Sequence, residues 1–232
     1  MKKPNLQQSN PRREFLGTLA TGAAVMGAAL VSPFQLAASP GSFSGNLSGA
    51  DAWFDKLKGK HRMVFDATRP HEIMPFAWPR IFLLTNVASS AAENDCSAVV
   101  VLRHDAIGYA MEDSLWAKYK FGELFKADDP DDKKPATRNP FWKPKPGDFK
   151  IPGIGNVQIG IDELQASGVM FCVCDAAMTV FSAALADGMK MAAADVKKDW
   201  VAGLLPGIQV VPSGVWAVGR AQEHKCAYCY TG

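Results

Sequence analysis

Four short segments of this chain hold residues whose types and spacing suit chemistry: His104-Asp105, Cys172-Val173-Cys174-Asp175, Ser213-Gly214 and Cys226-Ala227-Tyr228-Cys229. The second carries the most. Val169-Met170-Phe171-Cys172-Val173-Cys174 reads as a strand, and a helical region runs from Ala176 to Ala202. Cys174 therefore falls where a strand ends and a helix begins. Amides at a helix N-terminus point toward such a sulfur and favour the thiolate, its nucleophilic form. Cys174 is the candidate nucleophile, with His104 and Asp175 as neighbours that tune it. The competing reading is a buried cysteine that only fills space. Cys172 lies two residues earlier and shares a face with Cys174 on a regular strand. It is either a resolving thiol or a core residue, and the core is preferred.

The C-x-x-C pair Cys226 and Cys229 admits a redox dithiol, half a zinc site or a plain disulfide. Haem attachment needs His after the second cysteine, and Tyr230 stands there. A zinc site wants four ligands. His224, Cys226 and Cys229 supply three, and His104 or Cys174 would have to reach in. The expectation is a local disulfide in an exposed tail, with no resident cofactor and zinc as the alternative. His61 and His71 read as surface residues. The scattered methionines, Met170, Met178, Met189 and Met191 among them, read as core filler. No Gly-rich phosphate loop or nucleophile-elbow serine is present.

The elements that must position these groups alternate. Arg62-Met63-Val64-Phe65 is a strand candidate, and a helix is expected to start near Pro79, where proline suits a first turn. Ser97 to Arg103 is a near-continuous β-branched run, the pattern of a strand covered on both faces. Tyr109 to Phe125 shows helical spacing of Met111, Leu115, Tyr119 and Leu124. Ile161 to Ala166 ends a helix, closed by Gly168. Ile208-Gln209-Val210-Val211 is another strand, and a last helix runs through Val215, Val218 and Gln222. Strands alternating with helices imply right-handed crossovers and a parallel sheet between helical layers. The expected fold is a three-layer α/β/α domain with about five parallel strands. In such a sheet the site lies outside the carboxyl ends of the strands. Residues 127–153 interrupt the pattern with Pro130, Pro135, Pro140, Pro144, Pro146 and Pro152 among several lysines. That insertion cannot be a regular helix or a central strand. Phe141-Trp142 at its centre is either a packing anchor or a partner contact, and the anchor is preferred because an aromatic pair more often pins a loop to its own domain.

The first 39 residues have the layout of a secretory signal. Lys2 and Lys3 open a basic stretch, an Ala/Gly-rich apolar run spans Leu19 to Leu30, and Ala37-Ala38-Ser39 offers a small-residue exit. The run is too short and too interrupted for a membrane span. Arg12-Arg13 resembles the twin-arginine export motif, which implies passage through the twin-arginine translocase and a periplasmic location. Residues 40–58, Gly/Ser-rich at first, are expected to form a tether to a domain over 59–232. The whole chain has a formal charge of +2, and the basic leader leaves the remainder near −1. A near-neutral domain has no electrostatic footprint for nucleic acid.

Gly168 through Met178 resembles the strand–cysteine–helix segment of the DsrE/DsrF-like family, whose members include sulfur-relay subunits. Ile208 to Val215, followed by Gln222, resembles that family's closing strand and helix, and Val99 to His104 its second strand. The resemblance covers most of residues 60–230. It implies a flavodoxin-like sheet and self-association as trimers or hexamers. It also implies that Cys174 accepts a persulfide and passes it to a partner, a sulfur donor or acceptor protein. The export signal and the proline-rich insertion depart from the relay pattern. The competing function is a non-catalytic binding or assembly module whose cysteines are structural, or a Cys/His metal-binding protein.

Overall fold

A computed structural model of the chain describes residues 49–232 apart from positions 90, 93 and 94. The expected export signal with Arg12-Arg13, and residues 40–48 of the expected tether, lie outside the described residues. In chain order, β1 (His61–Ala67) leads through α1 (Met74–Ala88) to β2 (Cys96–Leu102). A 3-10 turn over His104–Ala110, the short helices α2 (Asp113–Tyr119) and α3 (Phe121–Leu124), and the ribbon of β3 (Lys150–Ile151) and β4 (Gly155–Asn156) follow. Next come α4 (Ile161–Ala166), β5 (Met170–Cys174), α5 (Asp175–Met189) and α6 (Ala193–Ala202). The chain closes with β6 (Ile208–Val211), α7 (Gly214–Glu223) and β7 (Ala227–Tyr230).

Five strands form one parallel sheet in the order β6-β5-β2-β1-β7. This is the three-layer α/β/α fold that the alternation predicts. The chain steps from β1 to β2, β5 and β6 in one direction, then returns across the whole sheet to β7. A constant right-handed crossover sends a connection to one face on the way out and to the other on the way back. Accordingly Phe65, Leu102, Phe171 and Val173 pack with Phe76, Leu164, Met178 and Trp200 on the first face. Val64, Val99, Val101 and Cys172 pack with Ala217 and Ala221 of α7 on the second. Val99 to Leu102 are wholly buried, as a strand covered on both sides requires.

Several boundaries move, each for a physical reason. The expected tether is structured at its end: Ala52–Lys56 is a 3-10 helix, and Trp53, Phe54 and Leu57 are buried on the second face. One helix cannot cover that face alone, and these aromatics complete it. Helix α1 begins at Met74 with Pro75 in its first turn, so Pro79 lies inside the helix. The stretch from Tyr109 to Phe125 is broken at Lys120, which takes a left-handed conformation (φ 52°). Lys190 (φ 55°) divides Ala176 to Ala202 in the same way. The segment after Cys226 is exposed, as expected, but is an edge strand paired with β1 rather than a tail.

The proline-rich insertion is pinned from within. Phe141 is fully buried, stacks 4.1 Å from the Phe76 ring of α1, and lies 5.1 Å from Phe149 and 5.3 Å from Tyr109. Buried Asn139 donates its amide to the carbonyls of Tyr109 and Met111, each at 2.9 Å. Gly122 lets Ala136 approach, since a β-carbon there would sit 2.3 Å from the Ala136 carbonyl oxygen. Trp142 is half-buried, with Lys143 Nζ 5.1 Å above its ring. Phe141→Ala is expected to lower stability by about 3–5 kcal/mol, the cost of emptying a core aromatic site. Denaturant unfolding measures this, and a loss below about 1 kcal/mol would mean that the insertion does not depend on the anchor.

Candidate active site

The strand ends are tied together by a buried carboxylate. Asp66, the penultimate residue of β1, is 2% exposed. Arg103, one residue past β2, grips it with two parallel hydrogen bonds: Nε to Oδ1 at 2.6 Å and Nη2 to Oδ2 at 2.9 Å. Tyr228 of β7 donates its hydroxyl to the same Oδ2 at 2.8 Å, and Thr231 donates its amide to the Asp66 carbonyl at 3.1 Å. A bidentate arginine–carboxylate pair is strong and directional. The Asp66 hydrogen bonds hold the Arg103 pKa above its ordinary value against the opposing effect of burial; the charges of Asp66, Tyr228 and Cys174 act in the same direction. Burial, followed by the bond to Asp66, pushes the Tyr228 hydroxyl up to about 12.

Cys174 sits beside this cluster. It is the N-cap of α5, and its sulfur accepts the Ala177 amide at 3.2 Å. The residue is 6% exposed. The loop after β6 closes on it: the Ala176 amide donates to the Pro212 carbonyl at 3.2 Å, and Ser213 caps α7 by accepting the Trp216 amide at 3.1 Å. Gly214 admits the Arg103 stem, because a β-carbon there would lie 2.4 Å from Arg103 Cβ. The connection leaving β5 passes to the first face and that leaving β6 to the second. Their carboxyl ends are therefore a topological switch point, where parallel sheets bind ligands. The N-termini of α5 and α7 converge there with Cys174, and the potential at both helix starts is positive.

The other expected site residues divide. Asp175 is fully buried and joined to Lys197 of α6, with Nζ to Oδ1 at 2.8 Å. Cys172 belongs to the second-face core, whereas Cys174 packs with the first-face core, so the two thiols do not share an environment. The reason lies at the strand end, where the turn into α5 carries the second sulfur to the helix amides. Burial, and then the charge of Cys174, pushes the Cys172 thiol pKa far up. His104 does not join the thiol: its side chain is 65% exposed, and Nδ1 faces Asp105 Oδ1 at 3.2 Å. Its ring lies edge-on to Phe181 at 5.5 Å. Left-handed backbone at His104 (φ 51°) turns the chain there, and Arg103 takes the place expected for the histidine.

The expected disulfide is not formed. Cys226 and Cys229 are both free thiols, and they pack on opposite faces of the sheet, Cys226 with Phe54 and Ala221 and Cys229 against the Phe65 side. Side chains three positions apart on extended chain point to opposite faces, and pairing with β1 holds β7 extended. The same separation places Cys226 and Cys229, two of the three suggested zinc ligands, on opposite faces. His71 Nδ1 lies 3.1 Å from the Thr231 carbonyl oxygen. Among the described residues, no three His, Cys, Asp or Glu side chains come together as a metal group, and no helix is long and apolar enough to cross a membrane.

Asp66, Arg103, Tyr228 and Lys197 were not singled out by residue pattern. A charged residue closing an apolar strand was the available signal for Asp66 and Arg103, since strand ends face the site. Nothing local marks Tyr228 or Lys197.

No family model and no curated protein matches the chain. Among solved structures it is similar to MTH1491 of Methanobacterium thermoautotrophicum, described as a protein of unknown function. Identity is 21%, over 74% of this chain and 99% of that one, with a TM-score of 0.35. A likeness of that degree carries no argument about this chain, and the fold rests on the strand pairing itself.

Thiol titration of unreduced protein in denaturant is expected to count all five cysteines, and a count of three would establish a disulfide. Burial raises the Cys226 pKa from 9.0 to about 11. A raised folded-state value means that stability is full below the unfolded pKa and is lost as pH rises between the two. Unfolding free energy is therefore expected to fall as pH rises from 9 toward 11. Cys226→Ala should flatten that slope in denaturant melts, and an unchanged slope would refute the assignment.

Proposed function

We propose that this protein is an exported thiol carrier in which Cys174 takes up sulfane sulfur as a persulfide and hands it on. The observation that carries the reading is the Cys174 sulfur capping α5 at the switch point of the sheet, where it accepts the Ala177 amide at 3.2 Å. Helix amides favour the thiolate, and Arg103 adds a cation within electrostatic range. The resemblance to sulfur-relay proteins supports the same residue.

The transfer balances without an external oxidant. The Cys174 thiolate attacks the terminal sulfur of a donor persulfide, forming a Cys174 S–S bond while the donor S–S bond breaks and its electron pair leaves as the donor thiolate. An acceptor thiolate then attacks the terminal sulfur on Cys174 and releases Cys174 as thiolate. The reading places this exchange in the periplasm, after twin-arginine export, with a sulfur donor or acceptor protein as partner. Self-association through α1 fits the apolar side chains that this helix exposes, Trp78, Leu84 and Val87.

Mass spectrometry of the protein after exposure to polysulfide or thiosulfate tests the reading. A mass gain of one or more sulfur atoms, localised to Cys174 and lost in Cys174→Ser, is the expected result. An unmodified Cys174, with a thiol that no reagent reaches in the folded protein, would instead favour a structural role.

A further inference from the structure

The nucleophile proposed above has an anion bonded next to it in the chain. Asp175 occupies the first turn of α5, immediately after the Cys174 cap. It competes for the positive potential at the helix start and opposes a second negative charge there. The carboxylate is also withdrawn from water, with its side chain 1% exposed. Such a charge requires a partner. Lys197 reaches across from α6, its Nζ 2.8 Å from Asp175 Oδ1 and 3.0 Å from Oδ2, and donates to Thr179 Oγ1 at 2.8 Å. Asp175 Oδ1 is buried and accepts no hydrogen bond in spite of that short distance. Lys197 donates to Asp175 Oδ2, so one ammonium supplies both the compensating charge and the hydrogen bond. The Lys197 side chain is only 15% exposed, so solvent screens the pair weakly.

We infer that Lys197 is a positioning residue for the thiol: it cancels the Asp175 charge and thereby keeps Cys174 nucleophilic. This rests on the reading of Cys174 as the reactive group. The other titratable groups on the elements packed beside the start of α5 come from several strands and turns. Arg103 follows β2, with Asp66 of β1 and Tyr228 of β7 behind it. Cys172 lies beneath in β5, and His104 with Asp105 sits on the turn after β2. Among the described residues, Lys197 is the cation that touches Asp175.

Alkylation of Cys174 by iodoacetamide in the full chain, followed across about pH 6 to about pH 10 to bracket an ordinary thiol, tests this. Fragmentation of the peptide that carries Cys172 and Cys174 assigns the adduct. Lys197→Met is expected to slow alkylation near neutral pH about tenfold, because the Asp175 carboxylate is then left uncompensated beside the thiolate. Lys197→Arg should restore the parent profile. Asp175→Asn should shift the profile to lower pH, because the lysine then acts on the thiolate alone. Where Lys197→Met folds poorly, the shift in Asp175→Asn decides the matter, and the double variant Asp175→Asn with Lys197→Met leaves no unpaired buried charge. Its profile should return to the parent's. An unchanged profile in Lys197→Met, or slow alkylation persisting in the double variant, would overturn the inference. Alkylation does not involve sulfur loading. Profiles that shift as expected in a protein that takes up no sulfur would sink the carrier reading and leave the charge pairing standing.

Discussion

The ion pair between Asp66 and Arg103 is the interaction on which the rest of the site depends. It joins the ends of β1 and β2 and, through Tyr228 and Thr231, the end of β7. Asp66 is nearly inaccessible to water, so an unpaired carboxylate there would carry a desolvation penalty of several kcal/mol. Two hydrogen bonds from Arg103 and one from Tyr228 satisfy it. The same bonds fix the direction of the guanidinium, whose stem lies over Gly214 at the start of α7. A single buried charge thus sets where a cation stands relative to Cys174.

Handedness then decides where helices converge. Three connections leave the strands toward the first face, and the one from β6 toward the second. That arrangement brings the starts of α5 and α7 together beside the thiol. It also leaves the second face thinly covered. The aromatic residues of Ala52–Lys56 fill what α7 leaves open, with Phe54 5.0 Å from Trp53 and 5.9 Å from Trp216. Packing on that face and placement of the site are therefore consequences of one topological reversal. The proline-rich insertion serves the other face, where Phe141, Phe149 and Asn139 close the core beside α1.

Charges near the thiol come in compensated pairs. Arg103 is matched by Asp66, and Asp175 by Lys197. Neither pair is a surface bridge of the kind that contributes little. Each has a carboxylate withdrawn from solvent, and each fixes an element end: Asp66 the carboxyl ends of β1 and β2, Asp175 the first turn of α5 against α6.

The periodicity of the chain was enough to determine the layer architecture, four of the five sheet strands and the position of Cys174 at a strand-to-helix junction. These follow from local rules: β-branched runs make covered strands, and glycine and proline end helices. Residue pattern also favoured Phe141-Trp142 as an anchor over a partner contact, because an aromatic pair more often pins a loop to its own domain. Tertiary structure alone decided the partners. His104 and Arg103 are adjacent in sequence, yet a left-handed turn sends the histidine to solvent and the arginine to Asp66. Cys226 and Cys229 have the spacing of a disulfide, but pairing of Ala227–Tyr230 with β1 puts them on opposite faces. Lys197 lies 22 positions from Asp175 and meets it only because α6 folds back along α5. Spacing specifies neighbours along an element, whereas which charge meets which depends on how the elements cross.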